Sequence, residues 1–303
     1  MSSCPFPAAA VIQWSLSSRD ITDRDSFRRA VIERIETACS SPGVVLVVFP
    51  ELTGLWLQMT RLLGIFPTGR AAQLLHTLTL TPVLLGGFLR KNGAAVLADQ
   101  QGPESWLEPF QEAARRRGIY ICPGSSFIRD NADRRIYNTS CLISPEGAVL
   151  GLRRKIHLTP IEGHLGVSSG STHQDLDPFH TPFASVGIAI CLDGFFEDVV
   201  GRLDQAGTEL ILQPSANSVD WNRSLKRKGY RVLQRDEWLS SGIGSLIQGR
   251  SSIMTALNPM DVTTHPLLHN SGCSTAWKRG ERTPIAIAPD PRREHQLIVH
   301  IGR

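Results

Sequence analysis

Apolar positions along this chain recur in two rhythms, and the alternation between them predicts a layered α/β architecture. Short apolar runs mark strands over residues 9–16, 44–49, 119–122, 138–143, 149–156, 186–191, 209–213, 252–256 and 295–300. The run 44–49 is rich in valine and unbroken, as expected of a central strand buried on both faces. Helical spacing fills the intervals. Residues 23–39 place Phe27, Ala30, Val31, Ile35 and Ala38 on one helix face. Residues 105–117 read as a helix with Ser105 as N-cap and Gly118 as stop, and further helices are predicted over 196–205 and 235–248. No repeat, low-complexity stretch or linker divides the chain, so one domain over 1–303 is expected.

Composition narrows the class without naming a function. A hydrophobic share of 41% with 20% charged residues supplies an ordinary soluble core that needs no staples. The net charge of +4 is small, and the runs Arg115-Arg116-Arg117 and Lys226-Arg227-Lys228 read as solvated faces, so no nucleic-acid partner is expected. Cys4, Cys39, Cys122, Cys141, Cys191 and Cys273 lie far apart with no CxxC pair or zinc spacing, which predicts reduced thiols and no metal. The first ten residues lack the basic region of a signal peptide, so a cytoplasmic location is the expectation. Residues 71–89 carry no formal charge, yet Gln73, His76, Thr77, Thr79, Thr81 and Pro82 make a poor membrane span. A buried helix, a lid or an interface helix is expected there instead.

Reactive side chains fall at three predicted strand ends. Glu51 follows Val47-Val48-Phe49-Pro50, Cys191 follows Val186-Gly187-Ile188-Ala189-Ile190, and Lys155 closes Leu152-Arg153-Arg154. Sites in α/β sheets gather at the carboxyl ends of strands. A carboxylate, an ammonium and a thiol suffice for acyl transfer: the thiol needs a base to take its proton, and the oxyanion needs a fixed positive partner. The tight turn near Gly194 places the Leu192 N–H as a second oxyanion donor. Each residue alone has a plainer reading, as a surface acid, a solvated lysine or a small buried hydrophobe. Composition and spacing do not by themselves bring the three together.

The local contexts resemble the nitrilase, or carbon–nitrogen hydrolase, superfamily. Phe49-Pro50-Glu51 resembles its general-base segment, and Tyr137-Asn138-Thr139 through Gly147 to Arg154-Lys155-Ile156-His157-Leu158 its lysine motif. Val186-Gly187 to Cys191-Leu192-Asp193 resembles its nucleophile elbow. Gln213-Pro214-Ser215-Ala216-Asn217 and Gly249-Arg250-Ser251-Ser252 look like later motifs. The resemblance covers most of residues 8–300. It implies a four-layer α-β-β-α sandwich, a small amide or nitrile substrate, no cofactor, and a homodimer or higher homo-oligomer. Catalysis is implied at Glu51, Lys155 and Cys191, with Glu162 of Pro160-Ile161-Glu162-Gly163 as a second glutamate ordering the site. Asn217 and His164 are the further candidates for contact with substrate.

Some features depart from the family pattern. Glu51 and Lys155 are 155 − 51 = 104 positions apart, a wider spacing than is usual in the family, and an extra helical segment is expected at about 57–100. Leu192-Asp193 stands where nitrile-cleaving members carry Trp-Glu, which favours amides over nitriles. The chain ends at Arg303 soon after its last predicted strand, implying a short or missing C-terminal extension. The alternatives are a nitrilase using the same residues, an acyltransferase, and a non-catalytic binding protein on the same fold. Only eight residues precede the first predicted strand, leaving no room before it for the membrane bundle of the acyltransferases.

Overall fold

Along each central strand, successive side chains enter different hydrophobic clusters, because neighbouring residues of a strand point to opposite faces. The structure is a computed structural model describing residues 6–17, 19–63, 93–98, 104–227, 230–265 and 268–301. In strand Ala8–Gln13, Ala9 and Val11 join one cluster, and Ala10 and Ile12 another. Strand Val44–Val48 repeats the division, with Leu46 and Val48 beside Ala9, and Val47 with the following Phe49 on the far side. In the second sheet, Val186, Ile188, Leu210 and Leu212 also pack with Ala9 and Val11, while Ile211 faces away. That shared cluster is the layer between the two sheets.

Helices cover the outer faces. Phe27, Val31 and Ile35 of helix Arg24–Cys39 pack on the first sheet with Phe110 and Ala114 of helix Glu104–Arg117. There Phe49 meets Phe110 edge-on at 5.1 Å and Trp14 at 5.2 Å between ring centroids. Val199, Val200 and Leu203 of helix Glu197–Gln205 and Ile243 of helix Ile243–Leu246 cover the second sheet. Helix, sheet, sheet and helix make the expected four-layer α-β-β-α sandwich.

The seven-stranded sheet runs His295–His300, Ala8–Gln13, Val44–Val48, Tyr120–Cys122, Ile136–Ile143, Ser125–Arg129, with Val149–Arg154 also paired to Ile136–Ile143. The six-stranded sheet runs Ala286–Ile287, Thr275–Lys278, Thr255–Asn258, Leu210–Leu212, Ser185–Ile188, Phe179–His180. Ala8–Gln13, Val44–Val48 and Tyr120–Cys122 are mutually parallel, as are Ser185–Ile188, Leu210–Leu212 and Thr255–Asn258. Parallel strands deliver their carboxyl ends to one side of a sheet.

Several boundaries differ from the pattern reading. Ser105 lies inside its helix and is not the cap. The single helix predicted over 235–248 is two, Gln234–Ser241 and Ile243–Leu246, interrupted at Gly242. The strand predicted over 252–256 is Thr255–Asn258, because the Asp204 carboxylate takes the N–H groups of Ser251, Ser252 and Ile253 out of reach of a ladder. The strand predicted over 186–191 ends at Ile188, and Cys191 opens a 3₁₀ turn. Strands Ser125–Arg129 and Thr275–Lys278 were not foreseen; both are short and carry polar residues. Within the expected insertion at about 57–100, helix Thr53–Leu63 crosses the start and Ala94–Leu97 lies near the end. Residues 64–92, including all of 71–89, lie outside the described residues. No helix among the described residues is long and apolar enough to cross a membrane.

Candidate active site

Glu51 sits three residues past Val48, in a turn held from both sides. Phe49 N–H donates to Cys122 O at 2.9 Å, Leu52 N–H to Ser125 Oγ at 3.0 Å, and Thr53 Oγ1 to Pro50 O at 2.8 Å. Gly124 has φ +83°, and a Cβ there would stand 1.8 Å from Pro50 O, so only glycine lets the neighbouring chain pass this close. Lys155 follows strand Val149–Arg154 and is anchored by its N–H to Asn138 O at 2.8 Å. Its Nζ donates to Glu51 Oε1 at 2.8 Å and Glu162 Oε2 at 2.9 Å, and all three side chains are buried.

Glu162 is held by the start of its own five-residue helix, Pro160–His164. Thr159 Oγ1 accepts the Glu162 N–H, while Glu162 Oε2 accepts from Thr159 N at 2.8 Å and Thr159 Oγ1 at 2.9 Å, a capping box with Pro160 in the first helical turn. Asn138 bridges the two acids: its Nδ2 donates to Glu51 Oε1 at 2.9 Å and Glu162 Oε1 at 2.8 Å.

Cys191 stands on a sharp elbow with φ +50°, uncommon for a residue bearing a side chain. The elbow is tied to the next strand by Cys191 N–H to Pro214 O at 2.9 Å and Gln213 Nε2 to Cys191 O at 2.8 Å. Gly194 makes room for that amide, since a Cβ there would lie 2.1 Å from Gln213 Nε2. The Cys191 thiol and the Glu51 carboxylate meet at Ala216: the thiol donates to Ala216 O at 3.6 Å, and Glu51 Oε2 accepts from Ala216 N at 3.0 Å. The structure thus brings Glu51, Lys155, Glu162 and Cys191 together.

The electrostatics separate the two acids. Burial pushes the Glu51 carboxyl above its ordinary 4.5, and the Glu162 charge adds to this against the pull of Lys155. Glu162 also pays a burial penalty, but Lys155, Thr159 and Asn138 together hold it below 4.5. Burial opposes charge on Lys155, yet Glu51, Cys191 and Glu162 raise its pKa well above normal, so it remains an ammonium. Burial, followed by the Glu51 charge, pushes the Cys191 thiol far up. The resting site is therefore a protonated thiol beside a carboxylate with raised proton affinity and a permanent cation. Such an arrangement can move a proton from sulfur to oxygen during attack on a carbonyl.

The other predicted residues are placed differently. Leu192 follows the sulfur directly at the start of the 3₁₀ turn. The buried Asn217 side chain donates to Val219 O at 2.8 Å and Ser271 O at 3.0 Å, so it pins the loop that carries Ala216. His164 is exposed at the end of its short helix. Asn138 and Asp193 lie inside the motifs quoted above, yet the motifs alone assign neither of them its hydrogen-bonding role at the site. An asparagine within the wholly buried strand Ile136–Ile143 is a signal that a polar partner must wait inside, and Thr159-Pro160-Ile161-Glu162 was itself a readable helix start. Among the described residues, no group of three or more His, Cys, Asp or Glu is placed to hold a metal ion.

A four-layer sandwich with an acid, an ammonium and a thiol at its strand ends is an arrangement suited to acyl transfer through sulfur. The chain belongs to the carbon–nitrogen hydrolase family, whose profile, described as Carbon-nitrogen hydrolase, matches residues 8–232. Omega-amidase NIT2 of Danio rerio is 30% identical over 138 residues, 44% of this chain and 48% of that protein. Deaminated glutathione amidase of Mus musculus is 30% identical over 157 residues, 48% of each. The chain spans about half the length of the curated relatives it matches. An amidase from Nesterenkonia sp. superposes with a TM-score of 0.67 at 16% identity, over 99% of this chain and 91% of that one, a likeness of fold. Another structure of a Nesterenkonia sp. AN1 amidase, with acrylamide added at its active-site cysteine, gives 0.65 at 16% identity over 97% and 92%.

Proposed function

We propose that this protein hydrolyses a small non-peptide amide to an acid and ammonia or an amine through a thioester on Cys191. The observation that carries the reading is the buried Glu51, which holds the Lys155 ammonium on one oxygen and on the other the N–H of Ala216, whose carbonyl accepts from the Cys191 thiol. Substrate carbonyl binds against Lys155 Nζ and the Leu192 N–H. Glu51 takes the proton from Cys191 as sulfur attacks the carbonyl carbon, and the oxyanion is stabilised by that cation and donor. Glu51 then passes the proton to the leaving nitrogen as the carbon–nitrogen bond breaks. It next accepts a proton from water as the water attacks the thioester, and returns that proton to the departing sulfur as the carbon–sulfur bond breaks, releasing the acid and restoring the thiol and the Glu51 carboxylate. Glu162 and Asn138 hold Lys155 and Glu51 in register throughout.

The test is intact-mass measurement after acid quenching with a panel of small amides, alongside ammonia release. The expected result is a mass increase equal to the acyl group, mapped to Cys191, on a substrate that also yields ammonia. Ammonia release with undiminished activity in Cys191→Ala would overturn the reading, as would a panel giving neither adduct nor product.

A further inference from the structure

Two aspartates in this molecule do the same structural job in different places. Asp204 accepts the backbone N–H groups of Ser251, Ser252 and Ile253 at 3.2, 2.8 and 3.2 Å, on the outer side of the second sheet. Asp193, 1% exposed, accepts those of Ile156, His157 and Ile190. His157 N lies 2.7 Å from Asp193 Oδ1, Ile190 N lies 3.2 Å from Oδ2, and Ile156 N is shared between both oxygens at 3.2 Å.

The donors at Asp193 come from two segments that nothing in the chain's order brings together. Ile156 and His157 immediately follow Lys155, and Ile190 immediately precedes Cys191. We propose that Asp193 is a positioning residue that clamps the Lys155 strand end to the Cys191 elbow and so sets the distance between ammonium and sulfur. The inference rests on the amidase reading for its catalytic consequence, but the clamp itself is a statement about geometry.

The physical case has three parts. Both oxygens are used, so replacing one by an amide NH2 sets a donor against a donor and breaks the bridge on that side. The bonded amides are one and two residues from Lys155 and one from Cys191, so little chain is available to absorb a shift. The turn it serves is already committed to an uncommon backbone angle, φ +50° at Cys191, which the surrounding contacts must hold. Burial pushes the Asp193 carboxyl up to about 6, against the pull of the His157 N–H, Lys155 and the Ile156 N–H.

The experiment compares Asp193→Asn with Asp204→Asn. The two changes remove an acceptor for backbone N–H groups in the same way, and only the first lies between the reactive groups. Asp193→Asn is expected to lower kcat by roughly 100-fold, the cost of a misplacement of about 1 Å, with KM changed by only a few fold. It is also expected to slow alkylation of Cys191 by iodoacetamide. Asp204→Asn is expected to lower Tm while leaving kcat per folded molecule and the alkylation rate unchanged. If Asp193→Asn does not fold, Asp193→Ser, which keeps one acceptor oxygen, reads out the same two quantities with a smaller loss. Wild-type kcat and alkylation in a folded Asp193 variant whose Tm has fallen would overturn the clamp. Should wild-type protein hydrolyse no amide at all, the amidase reading fails, while the alkylation rates still decide whether the clamp exists.

Discussion

Cys191 and Cys122 make an instructive pair. Each stands at or just past the carboxyl end of a parallel strand, one in each sheet, and each is buried in the layer between the sheets. Burial raises both thiols, Cys122 to about 11 and Cys191 further still. The proposed nucleophile is therefore not marked by an acidified sulfur. What separates the two is company and backbone. Cys122 is in extended strand with the Ser140 hydroxyl 3.6 Å away, whereas Cys191 is on an elbow at φ +50°, its thiol on Ala216 O and within the field of the Glu51 carboxylate and the Lys155 ammonium. A buried thiol becomes a nucleophile when a base in contact removes its proton at the moment of attack, so the base is the device to test.

The largest effect is expected at the sulfur. Cys191→Ala should lower amide hydrolysis by at least about 10⁴-fold, since removing a nucleophile removes the pathway rather than slowing it. Ammonia release per folded molecule is the measurement, and retention of even a tenth of the rate would erase the contrast with Cys122. Glu51→Gln comes next, with a loss of roughly 10²- to 10⁴-fold, the range of general acid–base catalysis. The intact Cys191 should then be alkylated more slowly than in wild type, because its proton has lost its acceptor.

The pH profile sharpens the same point. In the proposed mechanism Glu51 works in its deprotonated form, so activity is expected to be full above its pKa and to be lost as pH falls through it. Because burial raises that pKa, the acid limb of kcat/KM should lie above pH 4.5. Glu162→Gln removes the like charge that helps to raise it, so the surviving activity should show an acid limb at lower pH. An unmoved limb would mean that Glu162 acts on Lys155 alone.

Much of this arrangement was legible in the chain, for reasons that differ by residue. Continuous apolar runs revealed the strands that lead to Glu51 and Cys191, because both faces of those strands are buried. Local context pointed to Glu162 as well. Short strands such as Phe179–His180 left no such trace, since a two-residue element has no period to read. The roles of Asn138 and Asp193 were not legible because their partners are backbone groups and carboxylates from distant segments, and a hydrogen bond between segments has no one-dimensional signature. Asn217 was read as a contact for substrate, whereas its buried amide is spent on Val219 and Ser271.

The smallest expected effect belongs to Cys122 itself. Cys122→Ala removes one sulfur from a packed layer and leaves a small void beside Ser140, which should cost about 1 kcal/mol, close to the usual cost of a single core truncation. Cys122 O still accepts the Phe49 N–H that steadies the turn before Glu51, because that bond is made by the backbone and survives the substitution. Activity per folded molecule should therefore match wild type while Tm falls by a few degrees. Peptide mapping after iodoacetamide should find Cys191 modified and Cys122 untouched in the native protein, and both modified once it is unfolded. Rapid native labelling of Cys122, or loss of hydrolysis in Cys122→Ala without loss of fold, would show that the two sulfurs are coupled and that contact with a base does not alone distinguish them.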